Sequence, residues 1–218
     1  MTPNQRIGIH GGDANAGASL PRIGMYGGAF DPAHLAHHAL AQAAVAQLQL
    51  DMLYIVPTGY AWHKTRQLSA PEHRLAMAQL AFADVPRAFV DSRETQRTGP
   101  TYTLDTLNEL QALHPQAQLH LLMGADQFAA FGSWHHGPDI AKIATICIAA
   151  RAVSTGCMHK STTENDVQSQ CKIHTIHMPA MPISATDIRQ RVKQGLGIDH
   201  LVNASVARYI AQHQLYIS

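Results

Sequence analysis

The stretch Arg22-Ile23-Gly24-Met25-Tyr26-Gly27-Gly28-Ala29-Phe30-Asp31-Pro32-Ala33-His34-Leu35-Ala36-His37 decides how this chain is read. Ile23, Met25 and Tyr26 form a short apolar run suited to a buried strand, and Gly27-Gly28 ends it where a ligand can approach main-chain N–H groups without meeting a Cβ. Asp31-Pro32 has the form of a helix N-cap followed by proline at the first helical position, with a start near Leu35 as the alternative. In a helix, residues three apart share a face, so His34 and His37 are expected to project together beside the positive end of the helix dipole. Imidazoles in that place can donate to phosphate oxygens and stabilise charge as it develops on them. An isolated pair of this spacing has a structural reading too, one histidine capping and the other packing.

Downstream, the pattern alternates between β-rich and helix-rich segments, which predicts an α/β fold: a parallel sheet with helices on both faces and a small C-terminal helical part. Strands are expected at 22–27, 52–57, 87–91, 118–123 and 144–150. Helices are expected at 35–49, at 71–82 behind a Ser69-x-x-Glu72 capping box, at 103–113, at 184–194 before Gly195, and at 203–213. This order sets the glycine loop at the carboxyl end of the first strand, the edge at which open α/β sheets bind ligands. Residues 1–21 hold little apolar surface and read as a flexible extension ahead of one domain over 22–218. Within that extension, Arg6-Ile7-Gly8-Ile9-His10-Gly11-Gly12 echoes residues 22–28, but no Asp-Pro or histidine pair follows it.

The 218 residues carry 16 Lys+Arg against 15 Asp+Glu, and only 14% are charged, so cationic chemistry is local and a broad nucleic-acid surface is not expected. Three cysteines (Cys147, Cys157, Cys171), no CxxC and no apolar run of membrane length favour a soluble, cytoplasmic protein. Cys157, His159, Cys171, His174 and His177 are zinc-compatible residue types. Their spacing is not that of a compact knuckle, and on a strand over 173–178 the two histidines would face opposite ways, so no protein-held metal is expected.

Gly27 to His37 resembles the GGxFDPxHxGH element of nicotinate-nucleotide adenylyltransferases, and Ile183-Ser184-Ala185-Thr186-Asp187-Ile188-Arg189 resembles their ISxTxIR element. Pro57 to Lys64, Pro100-Thr101-Tyr102-Thr103, Gly124-Ala125-Asp126, Trp134 and Arg151 extend the likeness over about residues 22–217, in order. One departure is Ala36, where the element has glycine.

The resemblance implies a Rossmann-like nucleotidyltransferase that moves the adenylyl group of ATP to nicotinate mononucleotide in NAD biosynthesis. It implies catalytic roles for His34, His37, Lys64 and Arg189. ATP would be held by Gly27, Gly28, Phe30, Asp126, Arg151, Ser184 and Thr186, and the pyridine nucleotide by His63, Thr101, Tyr102 and Trp134. Mg²⁺ would arrive with ATP. Ser184 is independently a good cap for a helix from Ala185, and Arg189 can fork onto phosphate. Each residue also has a plainer use: Trp134 as a half-buried side chain, Asp126 as a helix cap, His63-Lys64 as a surface pair. Pantetheine-phosphate adenylyltransferases carry similar histidine and serine/arginine motifs, and a non-catalytic nucleotide-binding module is a further alternative. Homo-oligomer formation stays open.

Overall fold

The computed structural model describes residues 19–59, 68–150 and 171–217. In chain order the elements are β1 (Arg22–Gly28), α1 (Leu35–Leu48), β2 (Met52–Pro57), α2 (Pro71–Phe82), β3 (Ala88–Val90), α3 (Arg93–Gln96), α4 (Thr103–Leu113), β4 (Gln118–Met123), α5 (Ala125–Ala129), a 3₁₀ turn (Phe131–Ser133), α6 (Gly137–Ile143), β5 (Ala144–Ala150), β6 (Ile173–His177), α7 (Ala185–Lys193) and α8 (Ala204–Gln212). The five expected strands and five expected helices occur within a residue or so of their expected ends. The short elements α3, α5, α6 and the 3₁₀ turn had no clear periodic signal, because too few residues are involved for one to develop.

All strands are parallel, in the order β3-β2-β1-β4-β5-β6. The chain therefore winds outward one way from β1, returns, and winds the other way from β4. That reversal opens a crevice between the carboxyl ends of β1 and β4, the place where doubly wound sheets receive ligands.

Strand alternation distributes the core over two faces. Tyr26, Leu53, Ile55, Leu122, Cys147 and Ile176 face one way, where α1, α2, α7 and α8 supply Leu40, Met77, Ile188 and Val206. Ile23, Met25, Tyr54, Val56, Leu121 and Ile146 face the other, under Leu107 and Leu110 of α4 and Ile140 of α6. The C-terminal helices thus share the first core rather than forming an appendage. Gly24 on β1 is enforced by packing, since a Cβ there would lie 2.7 Å from Leu50 Cδ1 and 2.8 Å from Leu53 Cδ1.

Residues 1–18 of the expected extension, with the echo at 6–12, lie outside the described residues. Pro21 is already tied in, its carbonyl accepting from Gln118 N–H at 2.8 Å. Among the described residues no helix is long and apolar enough to cross a membrane. The Cys147 thiol is buried, and burial pushes its pKa up to about 12, so it behaves as a small apolar side chain. Cys157 and His159 lie outside the described residues, while His174 and His177 fall at opposite-facing positions of β6.

Candidate active site

The glycine loop leaves β1 at the crevice. Gly28 is required by packing, because a Cβ would press on the Phe30 ring at 3.0 Å. Gly27 is different: its Cβ would meet only Met25 Cε at 3.7 Å, and at Gly124, just past β4, none of the described atoms lies within 4 Å. Two glycines that the core does not demand thus stand at the carboxyl ends of the adjacent strands β1 and β4, which suits the close approach of a ligand to main chain.

Phe30 takes a left-handed conformation (φ 47°), and its ring is 2% exposed. It packs edge-on against Tyr26, Phe82 and His37. The Phe30 ring is therefore part of the core and packs against His37, while its main chain lies on the loop.

Of the two starts left open by the sequence, Asp31-Pro32 and Leu35, the helix takes Leu35, with His34 as N-cap in extended conformation (φ −145°). Asp31 does not cap it. Its buried carboxylate accepts from Tyr216 Oη–H at 2.6 Å and from Ser69 N–H at 3.2 Å. The first N–H of α1, that of Leu35, is taken by Leu201 C=O at 3.0 Å. His34 and His37 meet, though not as two positions on one helix face: a cap and the third helical residue bring their rings into a stack 3.6 Å apart and 20° from parallel. His34 N–H donates to His37 Nδ1 at 3.3 Å, which puts the proton of a neutral His37 on Nε2. His34 is 6% exposed, and burial pulls its pKa down to about 4. Its Nδ1 has no hydrogen-bond partner among the described residues. Such a nitrogen costs about 1–3 kcal/mol, an arrangement suited to a ligand rather than to stability. Ala36, half-buried at the second position of α1, has ordinary helical backbone, so its conformation does not demand glycine.

The second motif folds as expected. Ser184 caps α7, its Oγ accepting from Asp187 N–H at 3.1 Å. One turn on, Arg189 donates to Thr186 Oγ1 at 3.0 Å and to the carbonyl of Asp31 at 2.8 Å. That last bond joins the two motifs, 158 residues apart, into one site.

Across the crevice, Asp126 is exposed at the second position of α5; Gly124, not Asp126, holds the cap position. Thr101 and the α4 cap residue Tyr102 are half-buried, and the Tyr102 ring lies 4.4 Å from that of His135. Trp134, next in the chain, rests one side on Phe131 at 5.5 Å and is half-buried, so the loops bring Tyr102 and Trp134 to the same flank. His63, Lys64 and Arg151 lie outside the described residues.

Sequence reading did not single out Arg74, the largest fully buried side chain among the described residues. Its guanidinium donates to the carbonyls of Ser69 (2.9 Å), Ala29 (3.1 Å), Thr58 (2.6 Å) and Gly59 (3.4 Å). It thereby ties the glycine loop to the residues leaving β2 and entering α2. The expected Ser69-x-x-Glu72 capping box does not form, because Pro71 is the first residue of α2 and Ala70 its N-cap, which leaves Ser69 one position outside the cap. An arginine at an apolar helix position, four residues before Ala78, was the available signal.

Residues 25–191 match a family model described as cytidylyltransferase-like. A protein of Albidiferax ferrireducens named "Probable nicotinate-nucleotide adenylyltransferase" is 53% identical over 197 residues, covering 90% of this chain and 98% of its own. The chain belongs to the nicotinate-nucleotide adenylyltransferase family. A Bordetella avium member of the same name is 37% identical over 197 residues, with 90% and 98% of the two chains covered. In three dimensions the family fold recurs in the Plasmodium falciparum nicotinic acid mononucleotide adenylyltransferase complexed with NaAD, at TM-score 0.71 and 21% identity over 90% of this chain and 97% of that one. The same enzyme complexed with APC superposes at TM-score 0.69 with equal coverage.

Proposed function

We propose that this protein transfers the adenylyl group of ATP to nicotinate mononucleotide, releasing pyrophosphate and forming nicotinate adenine dinucleotide, a step of NAD biosynthesis. The observation that carries this reading is the union of the stacked His34/His37 pair with Arg189, through the Asp31 carbonyl, beside an open crevice edged by Gly27 and Gly124. Family membership and the names of its relatives agree with it.

In the reaction a phosphate oxygen of the mononucleotide forms a bond to the α-phosphorus of ATP as the bond from that phosphorus to the bridging oxygen breaks; the electron pair leaves with pyrophosphate. Both partners are phosphates, so the protein's work is alignment and charge stabilisation. His34 and His37 face the reacting α-phosphate and the departing group, Arg189 holds the β- and γ-phosphates, and Lys64 orients the incoming phosphate. Ser184 fixes the start of α7, with Thr186 steadying Arg189. The Tyr102 and Trp134 flank receives the pyridine ring by stacking, with Thr101 and His63 near its phosphate. Asp126, and Arg151 beyond β5, serve the nucleotide sugar and base side.

The loop offers a ligand imidazoles, a guanidinium and main-chain N–H, which are donors to phosphate, while its one carboxylate, Asp31, is buried against Tyr216 and Ser69. They fit Mg²⁺ that is carried by the triphosphate itself, where it neutralises phosphate charge.

A pyrophosphate-release assay tests the reading with ATP and, in turn, nicotinate mononucleotide, nicotinamide mononucleotide and phosphopantetheine. The highest kcat/KM is expected with nicotinate mononucleotide. Preference for phosphopantetheine overturns the assignment, and ATP binding without pyrophosphate from any acceptor favours a binding module.

A further inference from the structure

We propose that Tyr216, delivered by the last turn of the chain, is a positioning residue for the triphosphate side of the site. The inference rests on the adenylyl-transfer reading and deepens it. Beyond α8 the chain folds back, with Gln214 and Tyr216 in left-handed conformation (φ 50° and 66°) and Leu215 N–H bonded to Ile210 C=O at 3.0 Å. The turn carries the Tyr216 hydroxyl 185 residues back along the sequence, to 2.6 Å from Asp31 Oδ1.

Asp31 is 2% exposed, so partners and not solvent determine where its carboxylate sits. Ser69 N–H donates to the second carboxylate oxygen at 3.2 Å, and the main-chain carbonyl of Asp31 accepts from Arg189 at 2.8 Å. Three residues later comes His34. Asp31 is therefore the joint between the histidine pair and the arginine, and Tyr216 pins that joint through a charge-assisted hydrogen bond. Release of the hydroxyl lets the residue 31 carbonyl shift and, with it, the guanidinium. A shift of about 1 Å suffices to misplace a phosphate contact. The Tyr216 ring packs separately against the first core, so removal of the oxygen takes away the Asp31 bond and the hydroxyl's 3.8 Å contact with Met77 Sδ while the ring packing stays.

The experiment measures binding of a non-hydrolysable ATP analogue by titration calorimetry to wild type, Tyr216→Phe, Arg189→Ala and the double variant, with KM for nicotinate mononucleotide measured alongside. Tyr216→Phe is expected to weaken analogue binding about tenfold in the wild-type background, by less than twofold when Arg189 is already alanine, and to leave the mononucleotide KM within twofold. Unchanged analogue affinity in Tyr216→Phe overturns the proposal. So does the same factor in both arginine backgrounds, or parallel weakening of both substrates, since either marks general loosening of the fold. Calorimetry needs no acceptor, so an error in the assigned acceptor would appear in the turnover assay and leave this measurement standing.

Discussion

Removal of the His34 imidazole should change how stability responds to acid. In the folded protein burial pulls the His34 pKa from 6.5 down to about 4, whereas in the unfolded chain it stays near 6.5. Between those values the unfolded chain takes up a proton that the native state refuses, so the unfolded state gains as pH falls through this window. Above the unfolded value the imidazole is neutral in both states and nothing is lost. The full effect, at pH 4 and below, is about 3 kcal/mol, and at about pH 4.5 it is already about 2.5 kcal/mol. His34→Asn keeps a polar side chain of similar size and has no proton to gain. Urea unfolding of both proteins at about pH 7.5 and about pH 4.5 isolates the difference, because every other titrating group is shared. Wild type should lose about 2.5 kcal/mol more than the variant between the two conditions. Equal losses would refute the burial argument and mean that His34 accepts its proton in the folded state as readily as in the unfolded one. The same physics predicts that a bound triphosphate, by placing negative charge against the ring, raises the pKa and makes binding take up a proton near pH 6, visible in calorimetry across buffers of different ionisation enthalpy.

His37→Ala should lower kcat by about 10²-fold or more with the fold intact, because its donor acts where charge develops; near-normal turnover would remove it from the mechanism. Arg74→Met leaves four main-chain carbonyls without their buried donor and should cost about 3 kcal/mol or more by urea unfolding, while a loss under 1 kcal/mol would mean that water replaces the guanidinium. Gly59→Ala would set a Cβ onto the Glu94 carbonyl oxygen, a main-chain atom with little room to yield, and should lower Tm by several degrees; an unchanged Tm would show that the loop after β2 can retreat.

Local pattern was enough to determine the α/β class, the five principal strands, the capped helix at Ser184 and the two motifs that the fold brings together. Each of these is written in neighbouring residues: strand alternation, helix caps, glycine at a loop, paired histidines. What the tertiary structure decided was how the pieces meet. Asp31 reads as a helix cap in sequence, yet it is the buried joint to which Tyr216, Ser69 and Arg189 converge from distant parts of the chain. His34 reads as the first of two positions on a helix, yet it is the cap, and its ring reaches His37 by stacking from outside the helix. Phe30 reads as part of the loop, and its ring is buried in the core against Tyr26 and Phe82. Arg74 gave no motif at all, since a charge buried among main-chain carbonyls is recognised only when the loops supplying those carbonyls are folded around it. Periodicity and capping act over a few residues and are legible along the chain, whereas the partners of a buried polar group are chosen by the packing of the whole sheet.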